Sequence, residues 1–203
     1  MVRVWSICSQ ANNCRESADS VHRPETRRFF IHTTRHPVSK SKTTVHIQRA
    51  EPSDGPALLS LIDALAAYEK LKPPNAAAKK RLLRDMFSPR PRIECHLAVC
   101  DGRSVGYALI LETYSSFLAL PTLYLEDIFV LPSHRGRGVG YALFRAMVAE
   151  SHRRGCGRME WTVLDWNKPA IDFYKRLGAV HMKEWHLYRL VQSDMKRILD
   201  ASR

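Results

Sequence analysis

Apolar positions recur along the chain with two periods, and the points where the period changes divide it into elements. From Thr44 to Arg49 polar and apolar residues alternate, as in a half-buried strand. Asp54 then stands where a helix cap belongs, and Ala57, Leu58, Leu61, Ile62, Leu65 and Ala66 form a stripe at helical spacing that runs through Tyr68. Pro73-Pro74 ends that helix, and a second is predicted over about Ala76 to Phe87, with Leu82, Leu83 and Met86 on one side. Ile93–Val99 and Ser104–Thr113 read as strands joined by a tight turn at Asp101-Gly102, the strongest hairpin signal in the chain. The next strand, Tyr124 to Leu131, is apolar on both faces, as expected of a strand covered on both sides. Val139, Ala142, Leu143, Ala146 and Met147 then make a helical stripe that Gly155 closes. Arg158–Leu164 reads as a strand. Trp166-Asn167-Lys168-Pro169 opens a helix with an Asn cap and Pro in its first turn, and Lys175, Arg176 and Gly178 close it. A last strand is predicted over about Glu184 to Leu190, followed by a short polar tail, 191–203.

The order β-α-α-β-β-β-α-β-α-β implies an α/β class of the mixed, α+β kind: a mostly antiparallel mixed sheet with helices on both faces. At 203 residues one domain with a proper core is expected, over residues 44–190. Residues 1–43 are rich in Arg, Ser, Thr and His without sustained periodicity, and read as a disordered extension. Their Arg/Ser-rich start has the look of an organelle transit peptide, but Glu16, Asp19 and Glu25 interrupt it. No stretch approaches about 18 consecutive apolar residues, so no membrane partner is expected. The five cysteines are odd in number and form no Cys-x-x-Cys pair, which reads as reduced thiols in a cytoplasmic protein. Cys95 and Cys100 fall on opposite faces of a strand, and the nine histidines show no metal spacing, so no metal is expected. The net charge of +12 raises a nucleic-acid alternative. Residues 1–43 hold eight Lys/Arg against three Asp/Glu, and the remainder of the excess suits a solvated surface plus a phosphate site.

Two features of the central stretch carry chemistry. Glu126 and Asp127 interrupt an apolar strand, where a carboxylate needs a partner, a hydrogen bond at a bulge, or a cleft. After Pro132 comes Arg135-Gly136-Arg137-Gly138-Val139-Gly140, leading into a helix whose first N–H groups are unpaired and carry the positive end of the helix dipole. That is an anion site suited to phosphate, with Arg135 and Arg137 as charge-assisted donors. A P-loop is excluded because Tyr141 and Ala142 stand where Lys and Ser/Thr are required, and the dinucleotide fingerprint places its third glycine elsewhere.

Arg135-x-x-Gly138-x-Gly140 after an apolar strand and before a helix resembles the acetyl-CoA signature of the GNAT acetyltransferase superfamily. Leu164-Asp165-Trp166-Asn167-x-x-Ala170-x-x-Phe173-Tyr174-x-x-Leu177-Gly178-Ala179 is similar to the second cofactor-contacting segment of that superfamily. Tyr124 to Val130, Ala67-Tyr68-Glu69 and Glu184-Trp185 resemble its spermidine/spermine N-acetyltransferase branch, which includes thialysine acetyltransferases. The resemblance covers roughly residues 44–190. It implies acetyl-CoA as cosubstrate: the backbone of Ile128, Phe129 and Val130 along the pantetheine arm, Gly136, Arg137, Gly138, Val139, Gly140 and Tyr141 around the pyrophosphate, and Asn167, Lys168, Pro169 and Ala170 on the rest. It implies Tyr174 as catalytic acid, also touching the cofactor, and Tyr68, Glu69, Glu126, Glu160, Trp161, Thr162 and Glu184 as amine-binding positions. A homodimer is implied too. Lys70 and Lys72, beside Tyr68-Glu69, depart from a site for a long polyamine.

A lysine-like amine is less than about 0.1 per cent neutral near pH 7, so its proton must be taken. Glu126 is the expected base, its pKa raised by desolvation. Tyr174, seven residues after Asn167, shares its helix face about 10 Å away and can protonate the departing thiolate. The sequence therefore points to N-acetyl transfer onto a small cationic primary amine by direct attack. Alternatives are acetylation of protein lysines or N-termini, which needs an open groove, and a non-catalytic basic nucleic-acid binder, against which the chain lacks aromatic-basic interleaving on a strand pair.

Overall fold

A computed structural model of the protein describes residues 44–201; the expected extension over 1–43 and the end of the tail lie outside them. In order these residues form β1 (Val45–Arg49), α1 (Gly55–Tyr68), α2 (Ala76–Met86), β2 (Glu94–Cys100), β3 (Arg103–Ser115), β4 (Leu120–Val130), α3 (Val139–Arg153), β5 (Arg158–Glu160), α4 (Lys168–Arg176) and α5 (Gln192–Ala201). The five strands make one sheet in the order β1-β2-β3-β4-β5. The first four pair antiparallel, and β5 runs parallel to β4, so α3 is the crossover helix between them. The β2–β3 turn is built as its dipeptide requires, with Asp101 at φ 49 and Gly102 at φ 72.

Period-2 strands sort side chains into two layers. On one face Leu58, Leu61 and Met86 of the first two helices cover Cys95, Leu97, Tyr107, Leu109 and Phe129. On the other, Val139, Leu143, Phe144 and Met147 of α3, with Tyr174 of α4, cover Ala98, Ile110, Leu123, Leu125 and Val130. Cys95 and Cys100 belong to opposite layers, as their spacing predicted. Asn75 caps α2 by accepting the Ala78 N–H at 2.9 Å.

Three expectations are corrected. The strand predicted over Arg158–Leu164 pairs only at Arg158–Glu160, opposite Thr122 to Tyr124. No strand forms over Glu184–Leu190, where every residue from Val180 to Leu190 is exposed: alternation and aromatic content express a preference that only a ladder partner realises, and β5 offers none there. The tail expected as polar is helical over Gln192–Ala201, with Met195, Ile198 and Leu199 exposed. Among the described residues no helix is long and apolar enough to cross a membrane.

A network of ions ties the end of α3 to the sheet. Arg154, with its side chain 15% exposed, donates to both oxygens of Glu94 at 2.9 and 3.0 Å and to Glu150 at 2.6 Å. Glu150 also receives Arg153, whose hydrogen bond first and then those of Arg154 hold its pKa down to about 2 against burial. The stabilisation from Glu150 is complete above its ordinary range near pH 4 and is lost as pH falls toward about 2. Arg154→Met, which leaves two half-buried carboxylates short of a donor, is expected to cost about 1–2 kcal/mol in urea melts at pH 7.

Candidate active site

The site begins with a mismatch of strand lengths. β4 has 11 residues and β5 has 3, and their pairing stops at Tyr124–Glu160. Beyond that point β4 keeps its β3 partner alone. The Leu131 N–H donates to the Val105 carbonyl at 2.9 Å, and in an antiparallel ladder alternate residues face the partner. Phe129 and Asp127 therefore turn their peptide groups to β3, while Ile128 and Val130 turn theirs to the side that β5 has left. The Val130 carbonyl on that side accepts the Arg135 Nε at 2.9 Å.

That open edge runs into the glycine turn. Gly136 and Gly138 sit at φ 71 and 84, and a Cβ at either would meet nothing within 4 Å, so the turn is open space that only the glycines' left-handed backbone shapes. Gly138 caps α3 without a side chain, and the first N–H to be bonded within the helix is that of Ala142, to the Gly138 carbonyl. The N–H groups of Val139, Gly140 and Tyr141 are left at the positive end of a 15-residue helix. An open strand edge followed by an uncapped helix N-terminus fits a ligand with an amide-bearing arm and a pyrophosphate. Arg137 is exposed beside the turn. Arg135, expected as a phosphate donor, is exposed at the turn; its guanidinium lies 4.3 Å from the centre of the Tyr68 ring, and its Nε bonds Val130.

Tyr68, at the end of α1, reaches across the opening. Its hydroxyl donates to Asn167 Oδ1 at 3.3 Å, and its ring lies 5.9 Å from Trp166. Asn167 thus stands at the N-cap position of α4 as predicted, but its side chain holds Tyr68 rather than capping the helix. Lys168, Pro169 and Ala170 follow at the start of α4. Tyr174, one turn further, is 9% exposed among the rings of Trp161, Phe173 and Phe144 at 5.0, 5.4 and 5.9 Å. Burial pushes its phenol up to about 12, so it stays protonated at neutral pH. Among the described residues its hydroxyl has no hydrogen-bond partner.

The acids divide into groups. Glu69 follows Tyr68 at the end of α1. On β4 the pairing slips between Leu109–Asp127 and Ile110–Leu125, so Glu126 is the extra residue of a β-bulge and is exposed. Asp127 is half-buried and accepts the Tyr107 hydroxyl at 3.2 Å. Burial first, then the charges of Glu126 and Glu69, push its pKa up to about 6 against the Tyr107 hydrogen bond. Both structural solutions for a carboxylate in a strand, the bulge and the hydrogen bond, are present, one on each acid. Desolvation acts on Asp127, whereas Glu126, the expected base, is exposed. Glu160 is paired with Arg158 at 3.0 Å, and Thr162 is exposed after it. Glu184 lies in the exposed stretch that forms no strand, so the expected sheet placement of that residue is absent.

Sequence reasoning missed Tyr107 as a site residue and gave Asp127 only a general role. The available signal was a tyrosine inside the uninterrupted apolar run 105–111, whose hydroxyl needs a partner once buried.

Residues 61–179 match the acetyltransferase (GNAT) family model. The thialysine N-epsilon-acetyltransferase of Bos taurus is 34% identical over 76% of this chain and 96% of its own length. The L-ornithine N5-acetyltransferase NATA1 of Arabidopsis thaliana is 42% identical over 75% of this chain and 86% of its own. In fold, an integron cassette protein from the mobile metagenome of V. cholerae superposes with a TM-score of 0.65 at 24% identity, over 76% of this chain and 97% of that one. On the family match over residues 61–179 and the identity to these relatives, the chain belongs to the acetyltransferase (GNAT) family.

Proposed function

We propose that this acetyltransferase moves the acetyl group of acetyl-CoA onto the primary amine of a small cationic substrate, of the class of ornithine, thialysine or a short diamine. The observation that carries the reading is the unpaired edge of β4 at Ile128 and Val130, running from a group of carboxylates into the uncapped start of α3. Bound there, the cosubstrate supplies an activated acetyl thioester. Ile128 and Val130 present peptide groups to its amide arm, the N–H groups from Gly136 to Tyr141 with Arg137 hold its phosphates, and Asn167 to Ala170 flank it. Glu69, Glu126 and Asp127 draw the ammonium to the strand, and the names of the two relatives support an acceptor bearing a side-chain amine. Tyr174, protonated and buried beside Trp161, delivers a proton to the departing sulfur. Assembly as a homodimer is supported by the exposed apolar side chains of Val180, Trp185, Leu187 and Tyr188, at 73–88% exposure.

The test is thiol release from acetyl-CoA with thialysine, L-ornithine, spermidine, small diamines and a lysine peptide. One small amine is expected to turn over, with Tyr174→Phe lowering kcat by about 10². Preference for the peptide, or an unaffected Tyr174→Phe, contradicts the substrate class or the acid, respectively.

A further inference from the structure

The acids along the open edge of β4 are chemically distinct. Glu126 is exposed on the bulge, where it faces solvent. Asp127, opposite Leu109, lies on the face covered by α1 and α2. Its Oδ2 is fixed by the hydroxyl of Tyr107, a side chain with 0% exposure whose ring packs 6.3 Å from Phe129. Among the described residues its Oδ1 has no partner. The titratable groups that bear on it are Tyr107 from β3, Cys95 from β2, Glu69 at the end of α1 and Glu126 beside it, none of them a cation. A carboxylate with one oxygen pinned by a buried phenol, the other free, and no cation paired to it among the described residues is a fixed proton acceptor for an incoming ammonium.

The geometry points to Asp127, oriented by Tyr107, as the base that takes the proton from the acceptor ammonium; this rests on the acetylation reading above. An N–H bond of the ammonium breaks with its electron pair left on nitrogen, and the proton goes to Oδ1 of Asp127. The neutral nitrogen forms its bond to the acetyl carbon as the carbon–sulfur bond breaks, and Tyr174 protonates the sulfur. The surplus proton on the acylated nitrogen restores the Tyr174 phenol, and Asp127 returns its proton to solvent. Overall one ammonium and one thioester give one amide, one thiol and one proton. A carboxyl titrating near pH 6 is well matched to this task, because it is ionised at neutral pH and still basic enough to hold the proton briefly. Tyr107 does not touch the substrate and is a positioning residue.

Two measurements test this. The first is the pH profile of kcat/KM with whichever of thialysine, L-ornithine or spermidine turns over. Wild type should lose activity on an acid limb near pH 6, Tyr107→Phe should move that limb to higher pH because the phenol's hydrogen bond favours the carboxylate, and Asp127→Asn should abolish the limb and lower kcat/KM at pH 7 by about 10²–10³. The second needs no turnover: the carbon-13 resonance of the Asp127 side-chain carboxyl in the free protein should titrate near pH 6, and higher in Tyr107→Phe. Turnover with an acid limb that Tyr107→Phe does not move, or that Glu126→Gln abolishes while Asp127→Asn keeps it, overturns the assignment alone and returns the role to Glu126. A carboxyl midpoint near the ordinary value of about 4 does the same. No turnover with any amine overturns the acetylation reading, and this assignment with it.

Discussion

Asp127→Asn is expected to make the folded protein more stable at pH 8 by up to about 3 kcal/mol while making it a poorer enzyme. The carboxyl is pushed up from an ordinary value of about 4 to about 6, chiefly by burial, and each unit of displacement corresponds to about 1.4 kcal/mol between the protonation states. The sign follows from proton binding. Between about pH 4 and 6 the native state holds a proton that the unfolded chain has released, so stability from this group is full below about pH 4 and is lost as pH rises through about 6. Asparagine carries no charge to desolvate and can still accept from Tyr107 with its amide oxygen. The gain should therefore appear in urea melts at pH 8, shrink through pH 5 and vanish by about pH 4. A gain that is equal at every pH would mean that asparagine packs better and that charge burial is not the cause. No gain at pH 8 would mean that the carboxylate is not penalised. The expected combination, stability gained where activity is lost, is what a charge held in place for function produces.

The parts of this site that were legible in the sequence are those whose signals are local. The β4 segment, the glycine turn and the α3 stripe lie within Tyr124 to Arg153, where an apolar run, paired glycines and a 3.6-residue period each announce one element. As site residues Tyr68 and Asn167 were picked out only through a resemblance, and the bond between them spans 99 positions, beyond any periodicity. The Tyr107–Asp127 pair shows the limit more sharply. Its two residues are 20 apart, and whether they meet depends on the β3–β4 register and on a one-residue bulge that moves every side chain beyond it to the other face. The stretch from Glu184 to Leu190 failed in the opposite direction. Its pattern is that of a strand, but strand formation is a property of two segments, and pattern reports only one.

Gly106→Ala is the change through which the sheet and the open edge of β4 should fail together. Gly106 lies opposite Val130, the last residue of β4. A Cβ there would stand 2.6 Å from the Phe129 carbonyl oxygen, 3.1 Å from Val130 Cγ2 and 3.3 Å from Leu143 Cδ1. The valine and leucine tips can give by a few tenths of an ångström, but the carbonyl belongs to the β4 backbone, and only a shift of the strand relieves it. The cost should be about 3 kcal/mol, the upper part of the range for overpacked cores, because a main chain rather than a rotamer must move. That shift falls on Phe129 and Val130, next to the peptide groups that the open edge offers. Calorimetry at a temperature where both proteins remain folded should show acetyl-CoA binding weakened by about tenfold or more, in addition to the lower melting temperature. An alanine variant that melts lower but binds acetyl-CoA as wild type does would separate the two effects and place the cofactor away from this edge. A variant unchanged in both would mean that β4 has the freedom to retreat, which a strand paired on one side only can have if its open edge holds nothing in register.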